Sequence, residues 1–365
     1  MKISVYTRTS TTAATTYYRI AQYLNKFTCK VKYNTMINDN LYNKVMPISK
    51  RPLPIKFYIF IYTYFRVLRQ LINDLLKKPN TLIVSRRFIS RFFPYSYRLI
   101  LKILKKRGTQ IIWDFDDDIL SYKEISKSGF SFLSLISDHI IVASLYNKNM
   151  INSIFYPKVT ILPTTDGDMF NLFNNTVSHK RLNLLSKEIR LIWVGTFSSL
   201  KYVEAILPFI EQFSYETKET IGKKVIFTIV CNRLLDYIPV NFELRNILWK
   251  RDVAIIEMLN SHIGLMPLPI NESVKGKGGF KLIQYLSIGL PIIGTSIGIN
   301  ESIINKNVGI GINSLVSREW TEALSILTKS DIIWEKYSNN AFNWWTTNYN
   351  YNYNLMKWRS ILNLD

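Results

Sequence analysis

At 365 residues, 47% of them hydrophobic, the chain is long enough for two α/β domains with separate cores and too apolar to be largely disordered. Two distant cysteines, Cys29 and Cys231, exclude a disulfide-dense scaffold, and three histidines exclude a histidine metal cluster. The net charge of +21 is local: residues 1–186 hold 28 Lys and Arg against 10 Asp and Glu, residues 187–365 hold 19 against 16, and within 51–107 the balance is 14 against the single Asp74.

A surplus this local is a footprint for an anionic partner, either nucleic acid or an anionic membrane surface. No helix-turn-helix, zinc-finger or RNP-type pattern is present, and the basic residues flank an aromatic-rich helix, so the membrane surface is expected and nucleic acid is not. The bland alternative is a composition biased toward Lys, Asn, Ile and Tyr. The longest uncharged aromatic run, Phe57 to Phe65, is nine residues, too short to span a bilayer. The apolar core of the opening MKISVYTRTS is too short for a signal peptide. The expected location is therefore the cytoplasm, peripheral on the inner face of the cell membrane.

In chain order, Lys2 to Tyr6 reads as the first strand, followed by a Thr/Ser/Ala loop from Thr7 to Thr16 and a helix with Ile20, Tyr23, Leu24 and Phe27 at helical spacing. Residues 53–76 predict a long helix with a broad apolar arc on Tyr58, Ile61, Phe65, Leu68, Ile72 and Leu75, with Phe57, Phe60, Tyr64, Val67 and Leu71 alongside and Arg66, Arg69 and Asn73 opposite. Most of that arc is expected in the core, its aromatic start at a membrane interface. Thr81 to Ser85 is a strand, Tyr97 to Lys106 a basic helix ended by Gly108, and Thr109 to Trp113 a strand running into Asp114-Phe115-Asp116-Asp117-Asp118. Those carboxylates can bind acceptor hydroxyls or take a proton, hold a divalent cation, or cap the next helix. The residues alone leave these uses open for Asp116 and Asp117, with capping read for Asp118.

Ser137 to Ser144 and Val159 to Pro163 complete the strands of the first half; His139 is read as structural. Residues 171–187 are polar and read as an interdomain linker. Ile189 to Val194 then opens the second domain, followed by the Gly195–Lys201 loop, a helix over 201–213, a strand over Val225–Val230, a helix over Val253–Asn260 and a strand over His262–Met266. Next comes KGKGGFKLIQYLSIGLPIIGTSIG, Lys275 to Gly298. Three glycines among Lys275, Lys277 and Lys281 run into a helix start at Phe280. Glycine lets the backbone approach a ligand, and the first helical N–H groups carry partial positive charge, so Lys277, Gly278, Gly279 and Lys281 form a phosphate or diphosphate site. Helices near 317–328 and 331–345 and a Trp/Tyr/Asn-rich tail complete the chain.

The stretch from His262, HIGLMPLPINESVKGKGGFKLIQYLSIGLPIIGTSIG, resembles the donor-nucleotide segment of family 4 glycosyltransferases of the GT-B fold, in particular a subgroup reading roughly D-I-G-L-M-P-L, an acidic loop, then K-x-x-F-K-x-x-Q-Y-M-A-x-G-x-P-V. Weaker matches run in order along most of the chain: Tyr18-Arg19 against S-x-R-Y-R, Asp114–Asp118 against D-x-D-D-D, and Thr164-Thr165-Asp166 against P-N-G-V-D. The resemblance implies an α/β chain of two Rossmann-like domains with parallel sheets facing a cleft. The N-terminal acceptor-side domain spans 1–170, the linker 171–187 and the donor domain 188–345, and the last helix, 346–365, crosses back to the first domain.

The resemblance further implies a retaining, metal-independent transferase of the hexosyltransferase type, without cofactor, moving a sugar from a nucleotide sugar to a glycan or lipid-linked acceptor in cell-surface polysaccharide synthesis. A nucleotide-sugar epimerase and a catalytically silent sugar-binding subunit share the fold and stay open. Gly195, Ser198, Lys277, Gly278, Gly279, Phe280 and Gln284 would bind donor, with Gln284 on the ribose. Lys201 and Lys281 would stabilise the departing diphosphate, and Asp116, Asp117 and Arg19 would face the acceptor. Two departures stand out: Thr196 replaces the arginine of G-R-x-x-x-x-K-G, and Gly276 and Gln284 replace a pair of glutamates.

Overall fold

A computed structural model describes residues 1–10, 14–45, 48 and 51–364. The middle of the Thr7–Thr16 loop lies outside them. The chain divides into two compact units: residues 1–164 with those from Asn352 on, and Thr165–Tyr351.

In the first unit the strands are β1 (Lys2–Thr7), β2 (Lys30–Thr35), β3 (Thr81–Ser85), β4 (Gln110–Phe115), β5 (His139–Val142) and β6 (Val159–Ile161), in sheet order β2-β1-β3-β4-β5-β6. In the second they are β7 (Glu188–Gly195), β8 (Lys224–Cys231), β9 (Glu243–Leu248), β10 (Ile263–Met266), β11 (Ile292–Thr295) and β12 (Gly309–Ile312), in order β12-β11-β10-β7-β8-β9. Every pairing is parallel, as the expected fold class requires. Parallel strands are covered on both faces by crossover helices, which is why the central strands read IIWDF and VIFTIVC, apolar almost throughout, instead of alternating. Their side chains supply the two main cores, around Trp113 in one unit and Trp193 in the other.

The second unit has the doubly wound order in which the first strand of the unit, β7, lies beside the fourth, β10. The first unit reverses between β1 and β3. In open parallel sheets ligands bind outside the carboxyl ends of the strands at such reversals, so each unit has one privileged edge.

Several elements differ from the sequence reading. The long helix runs Leu53–Lys77, but its buried stripe is Ile59, Thr63, Val67, Leu71 and Asp74. Of the arc, Phe65 and Ile72 are exposed along with Tyr58 of its aromatic start, and Arg66, expected on the opposite side, is turned inward onto Thr35, with Nε donating to its carbonyl at 2.8 Å. The stripe is set by Asp74, whose carboxylate accepts from Ser4 Oγ, from Tyr6 Oη at 2.7 Å and from Lys32 at 3.2 Å. A buried carboxylate needs such partners, and they fix the rotation of the helix.

The expected linker holds a helix, Asn175–Leu185, within the second unit. It is anchored by Arg181, fully buried and donating to the carbonyls of Met258, Leu259 and Ile288. The expected helix over 201–213 is two, Phe197–Glu204 and Leu207–Ile221, divided where Pro208 supplies a helix start. The last helix, Tyr351–Ile361, contributes Trp358, stacked on Tyr23, and Asn354, which donates to the Pro163 carbonyl at 2.7 Å, all within the first unit.

Candidate functional site

The lysine-glycine stretch leads into the helix Phe280–Ser287, and its N-cap, Gly279, sits at φ 64°, in the left-handed region that glycine occupies without steric cost. Gly279 carries no side chain that could cap this end, and the first-turn N–H groups of a helix carry the partial positive charge that suits an anion. The helix is locked to the sheet by Tyr285, whose hydroxyl accepts from the Val194 amide at 3.1 Å. Lys281, one residue into the helix, places its ammonium 5.8 Å from the centre of the Trp193 ring on β7. Two residues along β7, Gly195 lies flat on that same indole; an added Cβ would come within 2.3 Å of it. Gly195 is thus glycine because Trp193 fills the space.

Because β7 and β10 are neighbours, the loop leaving Gly195 and the one leaving Met266 emerge side by side at the carboxyl edge. The first begins the helix Phe197–Glu204, on which Ser198 and Lys201 are exposed. Ser198 Oγ is 3.0 Å from Thr196 Oγ1, and Lys201 lies 5.2 Å from the Tyr202 ring. At the end of β8, Asn232 accepts from the Phe197 amide at 2.7 Å, and Arg233 stacks 4.8 Å over the Phe197 ring. Arg233 therefore brings a cation beside the position where Thr196 replaces an arginine. Sequence reading missed Trp193, Asn232 and Arg233, since none belongs to a motif and only strand order brings them here.

Gln284 is buried. Its Nε2 donates to Asp166 Oδ2 at 2.7 Å, so the amide expected on a ribose is held by a carboxylate. Burial pushes the Asp166 carboxyl up to about 6, the Gln284 hydrogen bond opposing it. Lys275, at the start of the loop, pairs with Glu272 at 2.6 Å.

In the first unit the acidic run follows β4. Asp116 and Asp117 both meet Arg86, at 3.3 and 2.8 Å, and Glu124 meets it at 3.1 Å. Burial raises the Asp116 carboxyl above the ordinary range, against the pull of Arg86 and with the push of Asp117. Asp118 accepts from the Ser121 amide and Tyr146 Oη, both at 2.9 Å. Against the cost of burial those bonds hold its carboxyl low; Asp118 ties down the turn over 119–123, while the cap of the next helix, Lys127–Ile136, is Ser126.

Arg19 requires a correction. Expected toward an acceptor, it is 3% exposed, turned inward from the π-helical turn Tyr17–Ala21. It donates to Asp114 Oδ1 at 2.5 Å, to the Leu162 carbonyl at 2.6 Å and to Thr164 Oγ1 at 3.3 Å. Burial disfavours the charge on both members of the Arg19–Asp114 pair, and for Arg19 the attraction of Asp114 prevails, keeping it charged. His262 is likewise structural: fully buried, it accepts at Nδ1 from the Arg190 amide and donates from Nε2 to the Arg181 carbonyl, and burial lowers it to about 3.

No protein-family profile matches the chain, and neither does any curated protein sequence. Solved structures do. Sucrose-phosphate synthase from Thermosynechococcus elongatus superposes with a TM-score of 0.63 at 10% identity, covering 100% of this chain and 98% of that one. Anabaena HepE in complex with UDP-glucose gives 0.63 at 9% identity, with 99% of both chains covered. UDP-GlcNAc 2-epimerase from Neisseria meningitidis bound to UDP-GlcNAc gives 0.51 at 13% identity, covering 94% and 96%. At these identities the likeness concerns the fold: the chain has the two-unit GT-B architecture over its whole length.

Proposed function

We propose that the chain is a glycosyltransferase of the family 4 kind that takes a nucleotide sugar on its second unit. The observation that carries this reading is that the adjacent strands β7 and β10 send out, at one carboxyl edge, the glycine-led helix start with Lys281 and the Gly195 loop with Lys201, with Arg233 over Phe197 beside them. Such an edge suits a diphosphate, binding it by amide N–H groups and cations without a metal. UDP-sugars are bound by HepE and by the Neisseria epimerase, which have this architecture, and that supports the choice of donor.

In the transfer, the bond between the sugar's anomeric carbon and the diphosphate oxygen breaks. A bond from that carbon to an acceptor oxygen forms on the same face, with retention. The acceptor's hydroxyl proton leaves to the departing phosphate. Lys201, Lys281 and the loop amides stabilise the charge gathering on that phosphate. Asp116, raised above the ordinary carboxylate range, orients the acceptor hydroxyl together with Asp117. The acceptor is a glycan or lipid-linked saccharide in cell-surface polysaccharide synthesis.

The first unit rests on an anionic bilayer. Exposed Leu53, Phe57, Tyr58 and Phe65 on one helix and Tyr95 and Leu99 on the next lie within the segment carrying 14 basic residues against one acidic. Apolar side chains among cations complement anionic lipid.

Thermal shift against a panel of nucleotide sugars, followed by product analysis with the best donor, tests the assignment. Transfer requires acceptor, whereas release of an epimerised sugar without acceptor favours the second reading, an epimerase, which the Neisseria structure supports. Absence of any nucleotide-dependent shift removes both.

A further inference from the structure

The first unit has its own cavity at its own reversal point, of about 420 Å³, within the range of roughly 300–1,000 Å³ usual for small-molecule sites. It opens where β1, β2 and β3 end: Arg8 follows β1, Met36 and Ile37 follow β2, and Arg87, Ile89 and Arg91 follow β3, while Lys56, Ile59 and Phe60 of the long helix close one side. Its described lining combines four cations (Arg8, Lys56, Arg87, Arg91) with an apolar wall and contains no carboxylate and no carboxamide. Arg87 meets Glu124, which it shares with Arg86, yet burial and the neighbouring Arg8, Arg86 and Arg91 lower its guanidinium to about 9. Cations gathered this way repel one another, and an anion in the cavity would relieve that repulsion.

The lining selects among ligand classes. A neutral sugar is held by carboxylates and amides, and the described wall has neither. A nucleobase needs acceptors and donors along its edge, and Thr63 and Ser90 are the only neutral polar side chains in the described lining. Four cations call for phosphate, and Met36, Ile37, Ile48, Ile59, Phe60 and Ile89 call for hydrocarbon directly attached to it. The helix supplying Lys56, Ile59 and Phe60 is the one that exposes Phe57 and Tyr58.

We infer that this cavity binds a phosphate or diphosphate joined to a hydrocarbon chain, the charged end of a lipid-linked acceptor. The role as acceptor rests on the transferase reading; the binding itself does not.

The probes are inorganic diphosphate, isopentenyl diphosphate and farnesyl diphosphate, titrated calorimetrically into the full-length protein saturated with UDP, so that the nucleotide edge is blocked. Affinity should rise at least tenfold from inorganic to farnesyl diphosphate. Arg8→Gln with Arg91→Gln, both exposed and therefore tolerant of substitution, should weaken farnesyl diphosphate at least tenfold while leaving the UDP thermal shift unchanged. Equal affinity along the series would reduce the cavity to a generic anion site, and an unaltered double variant would place binding elsewhere. Capture by phosphatidylglycerol vesicles without binding of dispersed farnesyl diphosphate would assign the cations to the bilayer surface; each of these results overturns the inference. Loss of the UDP shift in the wild type counts against the transferase reading, whereas failure of farnesyl diphosphate with that shift intact counts against this inference alone.

Discussion

Gln284 donates from Nε2 to Asp166 Oδ2 at 2.7 Å, and the two residues are buried together although 118 positions apart. The pair ties the helix after the lysine-glycine loop to the first residues of the second unit. It also makes that tie sensitive to pH. Asp166 has a folded value of about 6 against an ordinary 3.8, so the folded chain holds its proton more tightly. The contribution to stability is therefore complete below pH 3.8 and disappears as pH rises through 6. A two-unit shift corresponds to about 3 kcal/mol at most. Comparing wild type with Asp166→Asn by thermal unfolding at pH 4 and pH 8, the variant should gain on the wild type as pH rises. Parallel profiles would show that Asp166 does not titrate in this range.

Lys281→Ala and Lys201→Ala should each lower turnover by about 10²–10³, the usual effect of removing one group that stabilises developing charge. Both side chains reach solvent, so the unfolding midpoint should barely move. If neither variant alters turnover, the β7/β10 edge is not where the leaving group sits.

Arg19→Ala leaves Asp114 as a buried carboxylate without its partner, with the Leu162 carbonyl also stripped of its donor. Breaking a buried pair on one side costs about 3–5 kcal/mol. Denaturant unfolding should show this loss, while the KM for acceptor of whatever protein folds stays unchanged. A raised KM with intact stability would restore Arg19 to acceptor binding.

On the face proposed to meet the membrane, Phe57, Tyr58 and Phe65 are 67%, 58% and 60% exposed. Changing all three to serine should reduce co-sedimentation with phosphatidylglycerol vesicles several-fold without destabilising the unit, since they bury little. High salt should weaken what remains. Equal binding to neutral and anionic vesicles would remove the electrostatic part of the reading.

What could be read from the sequence follows from how local each signal is. The lysine-glycine loop was legible because glycine and lysine act through their own backbone and charge, within a few residues of the helix they start. The rotation of the Leu53–Lys77 helix was not, since it depends on Asp74 meeting Ser4 and Tyr6 some 70 positions away, and burial of a carboxylate and of Thr63 runs against their hydropathy. Arg19 hid for the same reason. The helix Asn175–Leu185 is polar on most of its surface and is held by one buried arginine, so periodicity gave no sign of it. The edge strands β2 and β9, KVKYNT and ELRNIL, carry charges that mask their extended character.

The indole of Trp193, with Gly195 on it and the Lys281 ammonium facing its ring, is an optical probe already built into the proposed nucleotide edge. A phosphate that draws the ammonium away changes the electric field across the excited ring. UDP should therefore shift or quench emission in the wild type and leave the Trp193→Phe spectrum unmoved, giving a direct titration signal without label or coupled assay.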